Sequence, residues 1–290
     1  MLSAEEAAAL ARRHGLRQVG LRPTLPAYLR DVWGHRHLMW SMAKGEFLSQ
    51  HQDNYLGILW AVINPILLGV SYYLIFGVLL DLRRDVDNFV SFLTIGLFTF
   101  TLISAALTSG SKAVLGKVGM MRALSFPRVL LPVVVVLAEL VSSLPAFAVL
   151  LGIAVVSGEP VTLKWLLFPV ALVIVSVMGL GMSMIAARVV HAWRDTANLV
   201  PLLVRLLRYV SGVFFSIPAR LAAVDGVPVV VSVALQYQPA AVALDVVRET
   251  LMASYPLQWQ TWTAASGWAL LFLVGGFLLF WRGEGTYGRA

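Results

Sequence analysis

The chain has 290 residues, of which 59% are hydrophobic and 13% are charged, and its formal net charge is +7. Because an ordinary soluble domain carries roughly twice that charged fraction, this composition excludes a soluble enzyme and a soluble nucleic-acid-binding protein. The lack of cysteine excludes disulfide bonds and thiolate metal sites.

Residues 1–24 predict a short cytoplasmic helix followed by a linker. Ser3 and Glu6 have the spacing of a capping box, and Gly15 is a plausible C-terminal stop for the helix. A signal peptide is not expected, because no basic stretch is followed by an apolar core.

Residues 25–56 predict an amphipathic helix that lies in the plane of the membrane interface. Apolar side chains recur there at helical spacing, and polar or charged side chains fall on the other positions. The apolar set is Leu38, Met39, Met42, Ala43 and Phe47, and the polar set is Arg36, Lys44, Glu46 and Gln50. A soluble helix packed against a partner remains the alternative interpretation.

The remaining residues, 57–290, predict an all-α integral membrane domain with about six spans. Each span is an apolar run of about twenty residues, the length needed to cross a hydrocarbon core of roughly 30 Å. The predicted spans are residues 57–80, 89–110, 129–156, 165–187, 197–217 and 262–281.

Basic residues in the connecting segments predict that both chain ends are cytoplasmic. The segments 1–56, 111–128, 188–196 and the C-terminal tail hold fifteen of the lysines and arginines. The segments 81–88, 157–164 and 218–261 hold five. Because basic loops stay on the cytoplasmic side, we expect a multi-pass protein of the bacterial inner membrane, with membrane lipids and no nucleic acid among its partners.

The outer stretch 218–261 does not fit a simple alternation of spans and loops. Residues 227–235 are apolar but too few to cross the membrane, and Pro239 and an amphipathic run over 240–253 follow. This pattern predicts a re-entrant helical hairpin that enters from the outer face. Since irregular backbone at that depth must be buried in protein or line a cavity, the hairpin indicates a pathway.

Three charged residues fall inside predicted spans: Arg205 and Arg208 in the fifth and Glu139 in the third. Each costs about 2.5–3.5 kcal/mol at the bilayer centre, so a partner or a function is expected. The arginines share a helix face, and all three charges have predicted depths of roughly 12–16 Å. Two interpretations stay open: an ion pair that fixes helix packing, or an anion site suited to phosphate along a pathway. Tyr72 and Phe98, also within spans, either pack or line that pathway.

The sequence gives little support for catalysis. The acidic turn Asp85-Val86-Asp87 could be the metal-binding pair of a membrane glycosyltransferase, but nothing else catalytic accompanies it, so a solvated turn is favoured. The nearest approach to a Walker A motif has Val118 where Ser or Thr must hold magnesium. We therefore expect a non-enzymatic chain without a resident metal or cofactor, and any ATP and Mg²⁺ would bind another chain.

Four motifs, taken in order along the chain, resemble one protein family. They are WSMAKGEFLSQHQDNYLGILWAVINP from residue 40, MRALSFPRVLLP from residue 121, the run 193–218 that begins WRD and ends VFFSIP, and YQP at 237–239. Together they resemble type 2 ABC exporter permeases, in particular the polysaccharide export branch. Three features depart from that family: the first 25 or so residues, Gln238 where the family usually has Asn, and the two arginines in the fifth span, which is usually less charged.

The resemblance implies a homodimeric permease with two copies of a separate ATPase, which binds ATP and Mg²⁺. It implies a lipid-linked polysaccharide as cargo, such as O antigen, teichoic acid, capsule or galactan. The excess of arginine over lysine indicates a GC-rich genome, and this composition favours a cell-wall galactan as the cargo. It also makes the helix within 25–56 a gate helix and places a coupling helix within 111–128. The implied gate-helix residues are Trp40, Lys44, Phe47 and Gln50, and the implied ATPase-coupling residues are Lys117, Val118, Gly119, Met120 and Arg122.

Three rival functions remain at this point. A type 2 ABC exporter of a drug or a lipid would share the whole architecture. An integral-membrane glycosyltransferase would show activity without any ATPase. A plain structural anchor would need neither a re-entrant hairpin nor buried arginines.

Overall fold

The computed structural model describes residues 24–52, 59–81, 86–124, 126–224 and 226–287. All regular elements in these ranges are helical, which confirms the all-α class. The predicted helix within residues 1–24 lies outside the described ranges apart from Thr24, and so does Asp85 of the acidic turn.

Twelve α-helices lie in the described ranges. They are α1 Leu25–Gly34, α2 Arg36–Gln52, α3 Trp60–Tyr72, α4 Phe89–Ser111, α5 Val118–Ala123, α6 Leu130–Val156, α7 Phe168–Ala192, α8 Leu199–Val210, α9 Ile217–Ala222, α10 Val229–Gln236, α11 Pro239–Leu251 and α12 Trp259–Arg282. A π-helical segment, Tyr73–Leu79, extends α3. Short 3₁₀ helices at Leu115–Lys117, Leu163–Leu167, Arg194–Asn198 and Glu284–Thr286 flank α5, α7, α8 and α12.

Five helical segments of the described chain are long and apolar enough to cross a membrane. They are Val62–Leu79, Phe89–Ser111, Leu130–Val156, Leu163–Ala192 and Trp259–Arg282. These segments agree with five of the six predicted spans. The chain is therefore a multi-pass membrane protein.

The predicted span over residues 197–217 is wrong as a continuous helix. Helix α8 ends at Val210 after 12 residues, which is about 18 Å and shorter than the bilayer core. The chain then turns at Gly212, whose φ of +77° is a left-handed conformation that glycine adopts without strain. Within the described ranges, a sixth crossing exists only if α10 and α11, bent by 61° at their junction, form one broken span.

Helix α4 forms the centre of the bundle, and α3 lies at its edge. In α4, 78% of the most apolar 18-residue stretch is buried, because α6, α7, α8 and α11 all pack against it. In the span formed by α3 and its π-helical extension, only 11% of the corresponding stretch is buried. One long apolar helix therefore presents most of its surface outward.

Helices α7 and α12 approach each other until their backbones touch. A side chain added at Gly181 would collide with backbone atoms of Phe272 and Leu273, and one added at Gly276 would collide with the carbonyl oxygen of Gly181. Small residues permit such close approach between membrane helices. This pair makes the most extensive helix–helix contact in the described part of the chain.

The connecting segments gather at two opposite ends of the bundle. At one end, named the coupling end here, the backbone N–H of Arg128 donates to Glu284 over 3.0 Å. At the other, named the distal end, the Asn88 side chain donates to the carbonyl oxygen of Ser157 over 3.2 Å. Helices α4, α6, α7 and α12 each run from one end to the other.

Candidate functional site

The partly buried Arg208 of α8 joins three helices. Its Nη1 donates to the Tyr72 hydroxyl of α3 over 3.3 Å, and its Cζ lies 5.3 Å from the ring centroid of Phe100 of α4. A guanidinium at that distance from a ring is attracted by the π electrons. The structure therefore brings together two of the predicted pathway residues, Arg208 and Tyr72.

The other predicted pathway residues lie apart from this contact. Arg205 is exposed one turn earlier on α8, and Phe98 is buried in the core of α4, where it packs against neighbouring helices. Glu139 is partly buried on α6. Among the described helices, α8 carries both arginines and packs on α4, and it makes no extensive contact with α6, where Glu139 lies.

Both α3 and α8 expose mainly apolar side chains, and the exposed surfaces of these two helices are together named the α3–α8 face here. Leu202, Leu203, Leu206 and Tyr209 of α8 are all at least half exposed, and Arg205 lies among them. An arginine facing hydrocarbon would cost about 2.5–3.5 kcal/mol at the bilayer centre. The α3–α8 face therefore suits contact with water or protein better than contact with lipid.

The turn that follows the end of α8 is stabilised by Arg248 of α11, which is 3% exposed. Its Nη2 donates to the carbonyl oxygen of Gly212 over 2.8 Å, and its Nη1 donates to Asp245 over 3.0 Å. Its Cζ lies 3.6 Å from the ring centroid of Phe92. Sequence reasoning used Arg248 only as a sign of amphipathicity. The available signal was an arginine three residues after an aspartate in a mainly apolar helix.

Helix α11 begins inside the bundle and ends at the distal end. Before its start, the carbonyl oxygen of Tyr237 accepts from the indole N–H of Trp268 over 2.8 Å. Trp268 is nine residues into α12, or about 14 Å along its axis. Beyond the end of α11, the N–H of Ala253 donates to Glu159 over 2.9 Å. This placement agrees with the predicted re-entrant segment.

The helix α5 corresponds to the implied coupling helix, and it is tied to the implied gate helix α2. Lys117, just before α5, donates to the carboxylate of Glu46 over 2.9 Å. Val118 and Met120 pack against the apolar cluster at the coupling end, whereas Gly119 is exposed. The side chains of Arg122 and Gln50 lie outside the described part of the chain.

The amphipathic helix α2 turns its predicted apolar face toward the protein. Ala43 is buried, and α2 packs along α6 of the same chain. On its other side Trp40 and Lys44 are exposed, as is Trp33 of α1, whose side chain is 72% exposed. Phe47 is partly buried. The apolar face thus has a protein partner, and an interfacial position for α2 stays a prediction.

A buried carboxylate at the coupling end joins α1 and the segment after α12 to the start of α6. Glu284, 6% exposed, accepts from the Tyr28 hydroxyl over 2.7 Å and from the N–H of Arg128 over 3.0 Å. The Tyr28 hydroxyl accepts in turn from the N–H of Val129 over 3.3 Å. Burial raises the pKa of Glu284, and burial followed by the nearby Glu284 charge raises the pKa of Tyr28. Sequence reasoning missed this cluster, since its members are up to 256 positions apart.

Comparison with known proteins gives consistent matches. Residues 37–221 match the ABC-2 type transporter family. The chain is 26% identical over 187 residues to the O-antigen export system permease protein RfbA of Myxococcus xanthus, covering 64% of this chain and 71% of that protein. It is 26% identical over 204 residues to the O-antigen export system permease protein RfbA of Klebsiella pneumoniae, covering 70% of this chain and 75% of that protein.

Proposed function

This chain belongs to the ABC-2 type transporter family, and we propose that it is the membrane subunit through which such a transporter exports a lipid-linked polysaccharide. The observation that carries the proposal is the similarity to two O-antigen export permeases over about two thirds of the chain. The Arg208–Tyr72 contact beside the exposed α3–α8 face supports it, because it offers a cationic group to a phosphate-bearing cargo.

We propose that two copies of the chain assemble with two copies of a separate ATPase, which binds ATP and Mg²⁺. The α3–α8 face supports the dimer, since it is apolar, exposed and interrupted by an arginine that lipid would not solvate. The path would run between the two copies. Both chain ends would lie in the cytoplasm. There the coupling end would contact the ATPase on the cytoplasmic side of the inner membrane.

The chemistry at α8 suits the anionic pyrophosphate head of a lipid carrier. In the described residues the Nε of Arg208 is buried without a partner, while Tyr72 and Phe100 hold the rest of the guanidinium. A buried donor without a partner is costly, and a phosphate oxygen would satisfy it. Arg205, one turn closer to the coupling end, would meet the same head earlier in its passage. A cell-wall galactan is the specific cargo that we propose.

Co-purification and reconstitution test the proposal. We expect the chain to be extracted with an ATPase whose hydrolysis rises when lipid-linked polysaccharide is added to proteoliposomes. Stimulation by a drug or a phospholipid instead would favour the rival type 2 exporters. Sugar-transfer activity of the purified chain without any ATPase would contradict the transport function.

Substitution of the two arginines tests the pathway. We expect Arg205→Ala and Arg208→Ala to reduce export at least several-fold while the complex still assembles, because each removes a cation from the path. The matched control is Arg194→Ala, which removes an exposed arginine just before α8. Loss of the assembled complex in both pathway variants would show that the arginines stabilise the fold instead.

A further inference from the structure

The distal end contains a polar cavity of about 680 Å³ that the proposed pathway does not use. Three connecting segments surround it: the turn before α4, the loop between α6 and α7, and the loop between α11 and α12. The π-helical extension of α3 closes one side. Its polar and aromatic lining includes Tyr73, Asp87, Asn88, Ser157, Glu159 and Ser254.

Hydrogen bonds between these segments fix the shape of the cavity. Asn88 caps α4 by accepting from the N–H of Ser91 over 3.2 Å, and it donates to the carbonyl oxygen of Ser157. The hydroxyls of Ser91 and Ser157 lie 2.7 Å apart. Glu159, 7% exposed, accepts from the N–H of Ala253. The cavity is thus preformed, as ligand sites usually are.

The lining favours a ligand rich in hydroxyl groups. The carboxylate of Asp87 is exposed to the cavity and can only accept hydrogen bonds when ionised, whereas Ser254 can donate or accept. The ring of Tyr73 offers an apolar surface beside them.

The cavity lies next to the proposed path. Tyr73 follows directly after Tyr72, the residue that binds Arg208, so adjacent residues of one helix contact the path and the cavity. Tyr73 also begins the π-helical segment, and such segments occur frequently at functional sites. From this position and the hydrogen-bonding side chains of the lining we infer that the distal cavity binds sugar units of the exported chain as they leave the path. This inference rests on the proposed polysaccharide export.

Site-specific photo-crosslinking tests the inference in the complete transporter. The photoreactive residue p-benzoylphenylalanine replaces Ser254, which is exposed on the cavity wall, and in a separate variant it replaces Leu163. Leu163 is 84% exposed at the same end but does not line the cavity. Each complex is reconstituted with the native lipid-linked polysaccharide and irradiated during ATP hydrolysis, and adducts are analysed for sugar by mass spectrometry.

We expect at least five-fold more glycan adduct at position 254 than at position 163, and only with ATP present. Adding Asp87→Asn to the Ser254 variant should lower the adduct yield at least three-fold, because a charged acceptor is lost. Equal labelling at both positions, or no labelling at 254 while export proceeds, would overturn the inference alone. Failure of the unmodified complex to export any glycan would overturn the proposed function and the inference with it.

Discussion

Buried charged side chains stabilise both ends of the bundle, but they connect different kinds of structure at each end. At the distal end, Glu249 of α11 accepts from the indole N–H of Trp262 of α12 over 3.0 Å, and Arg248 of α11 packs on Phe92 of α4. Glu159, which follows α6, accepts from the N–H of Ala253 after α11, and all three charged residues are at most 7% exposed. At the coupling end, Glu284 joins terminal segments to α6, and the second tie, Lys117–Glu46, is partly exposed. The distal end therefore resembles a fixed frame, whereas the coupling end includes a weaker link between α5 and α2.

This contrast fits an input of force at one end only. A partly exposed ion pair contributes at most about 1 kcal/mol, so it can break and re-form while α5 and α2 move. Loss of one partner from a buried ion pair costs about 3–5 kcal/mol, so the tie formed by Arg248 should persist through a transport cycle. Substitutions at each end test this difference between the distal end and the coupling end.

The largest effect is expected for Arg248→Met. The change removes the buried cation and leaves both Asp245 and the carbonyl oxygen of Gly212 without their partner. We expect about 3–5 kcal/mol of lost stability, measured as a large fall in the melting temperature of the detergent-purified complex. Arg248→Lys is the matched control and should recover part of the loss. A melting temperature equal to that of the unsubstituted chain would show that the distal frame does not depend on Arg248.

A smaller and pH-dependent effect is expected for Glu284. Because burial raises its folded-state pKa above the unfolded value, the folded protein binds more protons than the unfolded protein between the two values. Stability contributed by this group should therefore fall as pH rises through the folded pKa, and rise again on mild acidification.

The substitution Glu284→Gln checks this sign. The amide cannot ionise, so the variant should lose that pH dependence in melting experiments. It should also lose about 1–3 kcal/mol at acidic pH, because both oxygens of the protonated carboxyl can still accept a hydrogen bond, whereas the amide NH2 can only donate toward Arg128 or Tyr28. Glu46→Gln, at a carboxylate that is partly exposed, serves as the control and should leave the pH profile in place. A wild-type profile in Glu284→Gln would contradict the assignment.

The smallest effect on stability, with a clear effect on transport, is expected at the Lys117–Glu46 pair. We expect Lys117→Glu or Glu46→Lys to change the unfolding free energy by no more than about 1 kcal/mol. Each should lower the polysaccharide exported per ATP hydrolysed at least two-fold, because α5 and α2 would repel each other. The double charge swap should restore the ratio. A double variant as impaired as the singles would show that the pair does not transmit motion.

Much of the fold could be predicted because apolar length is a local property of the sequence. Five spans follow from runs of about twenty apolar residues, and the re-entrant segment follows from a run that is too short. The span over 197–217 was wrong because hydropathy measures composition and does not register a turn. Val213, Phe214 and Phe215 continue the apolar run, yet the left-handed Gly212 and the hydrogen bond from Arg248 end the helix.

The candidate site was less predictable, because its contacts join distant parts of the chain. The depth of Arg208 followed from counting residues, but its contact with Tyr72, 136 positions away, did not. Counting also placed Glu139 at a similar depth without showing that α8 packs on α4 and makes no extensive contact with α6 in the described structure. Depth along the membrane normal is encoded locally, whereas position around the bundle depends on packing.

The contact between Gly181 and Gly276 limits which parts of the bundle can move. Two helices whose backbones touch cannot rotate about their own axes or slide past each other without a collision, so α7 and α12 behave as one stationary body. Any widening of the molecule must then come from helices that share little surface with that body. Among the described helices, α3 and α8 make no extensive contact with α7 or α12, so we expect the moving wall of the protein there.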